Sequence, residues 1–511
     1  PVSSDVRLFY KGKDIPFQLS DGSDSLFGPG DALEFFGTPL RDSGLVLNEY
    51  SDTSMFWILF NQAGGLRSAS DTVVVPVPDD TVRSFPVTVR MERDSFYFFG
   101  NGGILINNQS GKAPGEGWYW KKLLANQTGT VAFTSRNLFT SGNPSYEIRG
   151  RLHSPVTNEA MPNHEAEVRL NNTLIGVIQF AGLKDTLFTL AAPAILFNEG
   201  ENSISIVSKP TAAPVNEIYL DWIEVSTQHE LFADNDTLLF NAGTSQAGVV
   251  ALFQLGGFSS PDISVYRIGP NGGVEKSFRG ALQGTGPYSL SFTDTVTAGR
   301  NYIALTQARK SVPLSLEKKT FANLRSSSRG TDYLVITSNE LVTEANRLAT
   351  YRSQQGLGRA EVVLVKDIYD EFNFGHFDPF AIRRFLLAID TLWTTPAPAF
   401  VVLFGDASWD YKDHLKGGRR NLVPSLGNPV SDAWLVSAPN DIFLATKKVG
   451  RIPARSAAEA ATFVDMLLEY ETLPLSAWNK RFLFLASGFD SVETARFRNF
   501  SESLISQRIT P

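Results

Sequence analysis

The stretch Ala399-Phe400-Val401-Val402-Leu403-Phe404-Gly405-Asp406-Ala407-Ser408-Trp409-Asp410-Tyr411 decides the fold. Its unbroken apolar run, closed by glycine and an acidic residue, has the pattern of a strand buried on both faces that opens at its carboxyl end into a polar turn. Open α/β sheets keep their functional groups at that end of their strands. Upstream, Tyr333–Thr337 predicts a buried strand. Ser338-Asn339 then predicts the cap of a helix with apolar face Leu341, Ala345, Leu348 and Tyr351, ended by Gly356. Ala360–Val365 predicts the next strand, and Asp378-Pro379 opens a second helix carrying Ile382, Phe385, Leu386 and Ile389. Downstream come Ile442–Thr446, then Val449–Arg455, then a helix after Ser456 with Glu459 completing a capping box. Strands alternating with helices in this way predict a parallel sheet with right-handed crossovers.

Everything before residue 320 has a different period. Short alternating segments separated by Gly, Pro and Asn predict all-β units over 1–85, 86–228 and 229–325, the second a jelly-roll-like sandwich. Within them, Leu170-Asn171-Asn172-Thr173 and Pro270-Asn271-Gly272-Gly273 predict hairpin turns. The α/β region follows over 326–475, and Trp478–Ser487 then predicts a further strand, with a helix over Ser491–Arg508, in a last segment 476–511.

Composition narrows the chemistry. The 511 residues carry a net charge of −7 with scattered Lys and Arg, which argues against nucleic acid as a partner. No apolar run approaches the ~20 residues of a membrane span. The chain has no Cys, which excludes disulfides and a cysteine nucleophile within these residues. No Gly-x-Ser-x-Gly elbow, phosphate loop or zinc helix motif is present. Asp21, Asp24 and Asp31 are candidate calcium ligands, against the plainer reading that they shape turns. Trp118 and Trp120, with Tyr119 and Trp222 nearby in the pattern, are candidate glycan-stacking faces, against the plainer reading that they pack between sheets. His164 alternates with strand residues and is expected at a solvated strand edge. His376 is expected to be a loop histidine rather than a catalytic one.

Phe404–Tyr411, Ser431-Asp432-Ala433-Trp434 and Val449–Arg455, together with Tyr351–Leu357 and Val365–Asp370 in the same order, resemble the gingipain-type cysteine peptidases. Phe27–Gly37 and Tyr50–Thr53 are similar to the β-domain that precedes the peptidase unit in bacterial surface members, including the sortase-like component of the type IX secretion system. The resemblance implies amino-terminal β-domains followed by a caspase-like α/β domain. It also implies a secreted or cell-surface bacterial protein, a protein or peptide substrate, secretion-system or surface partners, and no required cofactor. The family's His and Cys dyad belongs to a second α/β half that these residues only begin, so the catalytic domain is expected to be incomplete here and the chain alone inactive. In that second half Asp490 is the candidate for the carboxylate that orients the histidine, against an ordinary helix cap. Asp406 is a candidate binding residue of the strand-end loop. The alternative is a non-catalytic adhesin or glycan-binding protein on a degenerate peptidase scaffold.

Overall fold

The computed structural model describes the chain except for residues 1, 21–23, 42–47, 71–76, 99–116, 244–246, 428–429 and 510–511. It separates into two compact units, 1–457 and 458–511.

Three β-units and the parallel sheet make up the first of these. The amino-terminal one pairs Lys13–Asp14, Arg7–Tyr10 and Phe56–Leu59 in one antiparallel sheet over a core of Val6, Leu8, Tyr10, Ile15 and Phe17. The sandwich that follows sets Lys121–Leu124, Glu217–Glu230, Ser145–Ser154 and Lys184–Pro193, with Ser84–Glu92 beside Glu217–Glu230, against Thr128–Ser135, Gly200–Lys209, His164–Leu170 and Thr173–Phe180. Strict alternation decides its inner face: every second residue of Thr128–Ser135 is buried, and Val131, Ile148, Val168, Ile204, Ile206 and Leu220 meet in the core. The Asn171-Asn172 turn has φ of 47° and 69°, the doubly left-handed conformation that asparagine tolerates in a tight hairpin. The Asn271-Gly272 turn, whose left-handed position is Gly272 at φ 81°, joins Ile263–Ile268 to Val274–Phe278.

One boundary drawn from the sequence does not follow the sheets. Ala69–Ser70 pairs in parallel with Val274–Phe278 and Asp80–Val82 with Val250–Phe258, so these two strands belong to the third β-unit although they precede residue 85. Such short edge strands carry too little local pattern to reveal a partner so distant in sequence.

The α/β part is a four-stranded, all-parallel sheet in the order Ala360–Leu364 (β2), Tyr333–Thr337 (β1), Phe400–Phe404 (β3), Lys448–Ile452 (β4). Five consecutive buried residues make β1 the most enclosed strand, while β3, the run that first signalled the sheet, leaves Phe400 and Val402 half-buried. Helix α1 (Val342–Gln354) buries Ala345 and Leu348. It begins one turn later than its sequence suggests, because Ser338 heads a 3-10 turn over Asn339–Leu341 without a side-chain cap. Strand β2 passes without a loop into α2 (Val365–Phe372), a helix concealed by the strand pattern that runs on through Val365. Helix α3 (Pro379–Leu392) starts as expected: Asp378 Oδ1 accepts from Phe380 N at 2.8 Å, Pro379 occupies the first turn, and Ile382, Phe385, Leu386 and Ile389 are buried. Asp378→Ala should therefore lower the stability of this part by about 1 kcal/mol, while Asp378→Asn keeps the cap and most of that stability. Hydrogen exchange over residues 379–392 of the two variants, measured side by side, checks the difference.

In the second unit, described by itself, a helix over Ala457–Thr472 leads to a 3-10 turn at Ala477–Lys480 and a helix over Ser491–Leu504. The strand expected over Trp478–Ser487 is not formed. Phe482, Leu483 and Leu485 stand 65%, 83% and 85% exposed. A strand is a property of a pair, and an apolar run with no neighbouring strand does not become one by pattern alone.

Candidate functional site

Three of the motifs, those containing Gly405, Asp432 and Arg451, converge at the carboxyl end of β3. Gly405 sits at φ 153°, where a Cβ would meet Leu422 and Val423 at 3.1 Å, so glycine lets the chain turn out of the sheet against the returning loop. Its N–H donates to Ile452 O and that of Asp406 to Ala454 O, both at 2.9 Å, which extends the β3–β4 pairing one step beyond the strands. The carbonyl of Asp406 accepts from Leu422 N at 3.0 Å and closes the loop over residues 407–421.

Arg451, at the end of β4, locks these pieces together. One guanidinium nitrogen donates to both Gly405 O and Val423 O at 2.6 Å. Nε and the other nitrogen grip Asp432 bidentately at 2.8 and 2.7 Å. This fork-on-carboxylate geometry is the strong form of an ion pair. Burial works against the Asp432 carboxylate, but the hydrogen bonds and charge of Arg451 outweigh it and hold its pKa below the usual carboxylate range. The sequence motifs containing Gly405, Asp432 and Arg451 are thus one physical object, a clamp that fixes two loops at the strand ends.

The loop beyond Asp406 faces the β-units. Trp409 stacks on Trp118 with centroids 5.4 Å apart and 25° between planes, and lies 4.7 Å from Tyr97. His414 Nε2 is 3.0 Å from Asp94 Oδ2, and its ring lies 4.8 Å from that of Trp118. Tyr411 meets Tyr50 edge-on at 4.8 Å, and Lys412 Nζ donates to Asn48 O and Asp52 Oδ1 at 3.0 Å. Asp410 caps the turn within the loop by accepting from His414 N at 2.8 Å and Leu415 N at 2.9 Å.

Against this frame the expected site residues fall as follows. Asp406 acts chiefly through its backbone, with its carboxylate 3.8 Å from Arg455 Nε. Asp490 is a helix cap: its Oδ1 accepts from Glu493 N at 2.8 Å, while Glu493 Oε2 accepts from Phe489 N at 2.7 Å. No histidine occurs among residues 458–511. Trp118 is not a free stacking face, because it is 4% exposed and occupied by Trp409. Trp120 is half-buried against the sandwich core, with Lys121 Nζ 5.6 Å from its ring centre. Asp24 and Asp31 accept backbone N–H groups of their own turns, from Leu26 at 3.0 Å and Gly28 at 2.6 Å, while Asp21 lies outside the described residues. His164 is fully buried rather than at a solvated edge, placed between Ser154 Oγ at 2.8 Å and Asn216 Oδ1 at 2.9 Å. Its inward turn puts a polar network where strand alternation alone suggested solvent. His376 is a loop histidine, as expected, but a buried one that receives the N–H of Met55. The role of Arg451 was not read from the sequence. The only signal for it was that an arginine and an aspartate recur in two neighbouring motifs.

Comparison with known proteins agrees with this geometry. Residues 326–510 match the profile of peptidase family C25. Over the whole fold the chain is similar to the crystal structure of dimeric latent PorU from Porphyromonas gingivalis. That likeness has a TM-score of 0.64 at 18% identity and covers 98% of this chain and 50% of that one, so the chain spans half the length of that relative. Weaker likenesses reach a family 35 carbohydrate binding module from an environmental isolate (TM-score 0.19, 14% identity, 29% of this chain and 96% of that one). They also reach the CBM36-1 domain of a multidomain xylanase from the hindgut metagenome of Trinervitermes trinervoides (TM-score 0.18, 11% identity, 27% and 95%). No curated protein matches the chain. The architecture is therefore amino-terminal β-domains followed by a caspase-like α/β domain, and the resemblance to gingipain-type peptidases holds where its motifs lie.

Proposed function

We propose that this chain is the amino-terminal portion of a secreted gingipain-type cysteine endopeptidase, which cleaves or processes protein substrates at a bacterial cell surface in the manner of a type IX secretion sortase-like component. The observation that carries this reading is the Arg451–Asp432 clamp: it joins the family-like motifs into one rigid strand-end face, inside the residues that match peptidase family C25. Such a face is where an α/β sheet presents its reacting groups. Within these 511 residues there is no Cys, so the thiolate that such chemistry needs has to be supplied by residues outside them. The β-domains then act as positioners of the strand-end loop. Substrate protein and components of the secretion apparatus are the partners, no cofactor enters the chemistry, and any calcium beside Asp24 and Asp31 is structural.

Two measurements test the reading. The purified 511-residue chain should show no thiol-dependent cleavage of a casein substrate. A gene product extended beyond residue 511 should carry a His-bearing turn and a Cys after a buried strand, and its cleavage should vanish on Cys→Ala. Absence of that dyad would sink the peptidase reading and favour a non-catalytic surface protein. In that case the half-exposed ring of Trp120 is the place to look for glycan contact.

A further inference from the structure

A cavity of about 530 Å³ opens where the segment leading toward β1 crosses the end of α2. It is lined by Phe321, Asn323, Arg325 and Ser326 from that segment and by Asp370 and Glu371 from the last turn of α2. Its size falls in the range of roughly 300–1,000 Å³ that holds small ligands. Positive charge is short around it. The Asp370 side chain is 4% exposed, and Lys319 Nζ stands 2.6 Å from both Asp370 Oδ2 and Asp367 Oδ1. Glu371 Oε2 accepts from Leu324 N at 2.8 Å, whereas its Oε1 is buried with no donor among the described residues. Arg325 directs its donors elsewhere: Nε and Nη2 reach the Glu371 carbonyl at 3.2 and 2.9 Å, and the guanidinium lies 4.2 Å from the Phe372 ring centre. Three carboxylates therefore face two cations, at a helix end where negative charge is disfavoured. The apolar part of the wall is Phe321, 38% exposed, its ring 5.0 Å from that of Trp57. Trp57 is itself fixed, with Nε1 donating to Phe374 O at 2.9 Å.

We propose that this cavity binds one organic cation on an apolar stem, the side chain of a lysine or arginine in a peptide segment, with its charge at Glu371 and its stem on Phe321. A buried carboxylate oxygen without a donor is costly, and an ammonium or guanidinium gives it a charge-assisted hydrogen bond, the strong form. The added charge also balances the three carboxylates against the cations beside them. A divalent metal ion suits the wall less well, because it takes six or more oxygen ligands and Lys319 and Arg325 stand beside the same carboxylates. Every group involved belongs to this chain, so the site is independent of the His and Cys dyad and of the peptidase reading.

Titration calorimetry of the whole chain with N-acetyl-lysine methylamide and N-acetyl-arginine methylamide, against the uncharged N-acetyl-norleucine methylamide, tests this, and hydrogen exchange locates the contact. At least one cationic probe should bind saturably and raise protection several-fold over residues 319–326 and 367–373, and the norleucine probe should do neither. Glu371→Gln keeps an acceptor for Leu324 N but removes the charge, and it should weaken the cationic probe about tenfold or more. Phe321→Ala should weaken it several-fold. Failure of both cationic probes to bind, equal binding of the norleucine probe, or an unchanged affinity in Glu371→Gln would overturn the proposal. Displacement of the probe by an equal concentration of calcium would mark a metal site instead and overturn it too. The comparison of probes on the wild-type chain decides the matter even if Glu371→Gln fails to fold.

Discussion

Arg451→Met is expected to destabilise the α/β part by about 2–4 kcal/mol. Methionine retains an apolar stem but none of the donors, so Gly405 O, Val423 O and both oxygens of Asp432 lose their partner at once. Removing one member of a buried pair costs roughly 3–5 kcal/mol, because the other charge is left without its counter-charge; here the Ser425 side chain still hydrogen-bonds Asp432. The Asp432 side chain is 26% exposed and Arg451 14%, so water can partly solvate the remaining carboxylate, and the lower range applies. Asp432→Asn keeps the shape and loses the charge, and it separates the electrostatic share by its pH dependence. The folded pKa of Asp432 is lowered, so its contribution is present above the ordinary carboxylate value near ~3.9 and disappears as pH falls through the lower, folded value. The gap between wild type and Asp432→Asn should therefore be open at neutral pH and close in strong acid. Because the chain has several units, the measurement is hydrogen exchange at residues 400–406 and 432–436 rather than a single melting point. Unchanged protection there in Arg451→Met, or a gap to Asp432→Asn that does not narrow in acid, would show that the clamp contributes little.

What was legible in the sequence was what is decided locally. Asp378-Pro379 capped α3 as expected because cap, first-turn proline and apolar spacing all lie within a few residues, and Asn171-Asn172 set its hairpin because asparagine tolerates the required φ. What was hidden depends on partners far away. Helix α2 escaped notice although Val365, Ile368, Tyr369 and Phe372 have helical spacing, because the strand run of β2 continues straight into Val365. The Arg451–Asp432 bond joins two segments of unrelated pattern, and nothing in either fixes the other as its partner. The inward turn of His164 toward Ser154 and Asn216 obeys the same limit, since the strand period says which face a residue is on but not whether another layer covers it. Residues 481–487 show the converse, a strand-like pattern without a strand, for want of a neighbour.

Trp118 is the position where the glycan-binding expectation and the structure give opposite outcomes. A stacking platform for a sugar must present its face to solvent, and replacing it should weaken a ligand while leaving the fold alone. In the structure the ring is buried between Trp409, Tyr97 at 5.2 Å and His414 at 4.8 Å. Trp118→Ala should then cost about 3–5 kcal/mol, the usual range for emptying a buried aromatic site. The loss should also be local: with its stacking partner gone, Trp409 no longer anchors the loop after β3, and exchange should rise across residues 409–415 while the Arg451 clamp at the base of the same loop stays protected. Trp118→Phe keeps a ring in the site and should recover most of the loss. An alanine variant with wild-type stability and unchanged protection at 409–415 would refute the view that the sandwich positions this loop. An effect confined to stability and loop exchange would place Trp118 in the scaffold of the strand-end face, and it would make the β-units part of that face's construction rather than a separate binding module.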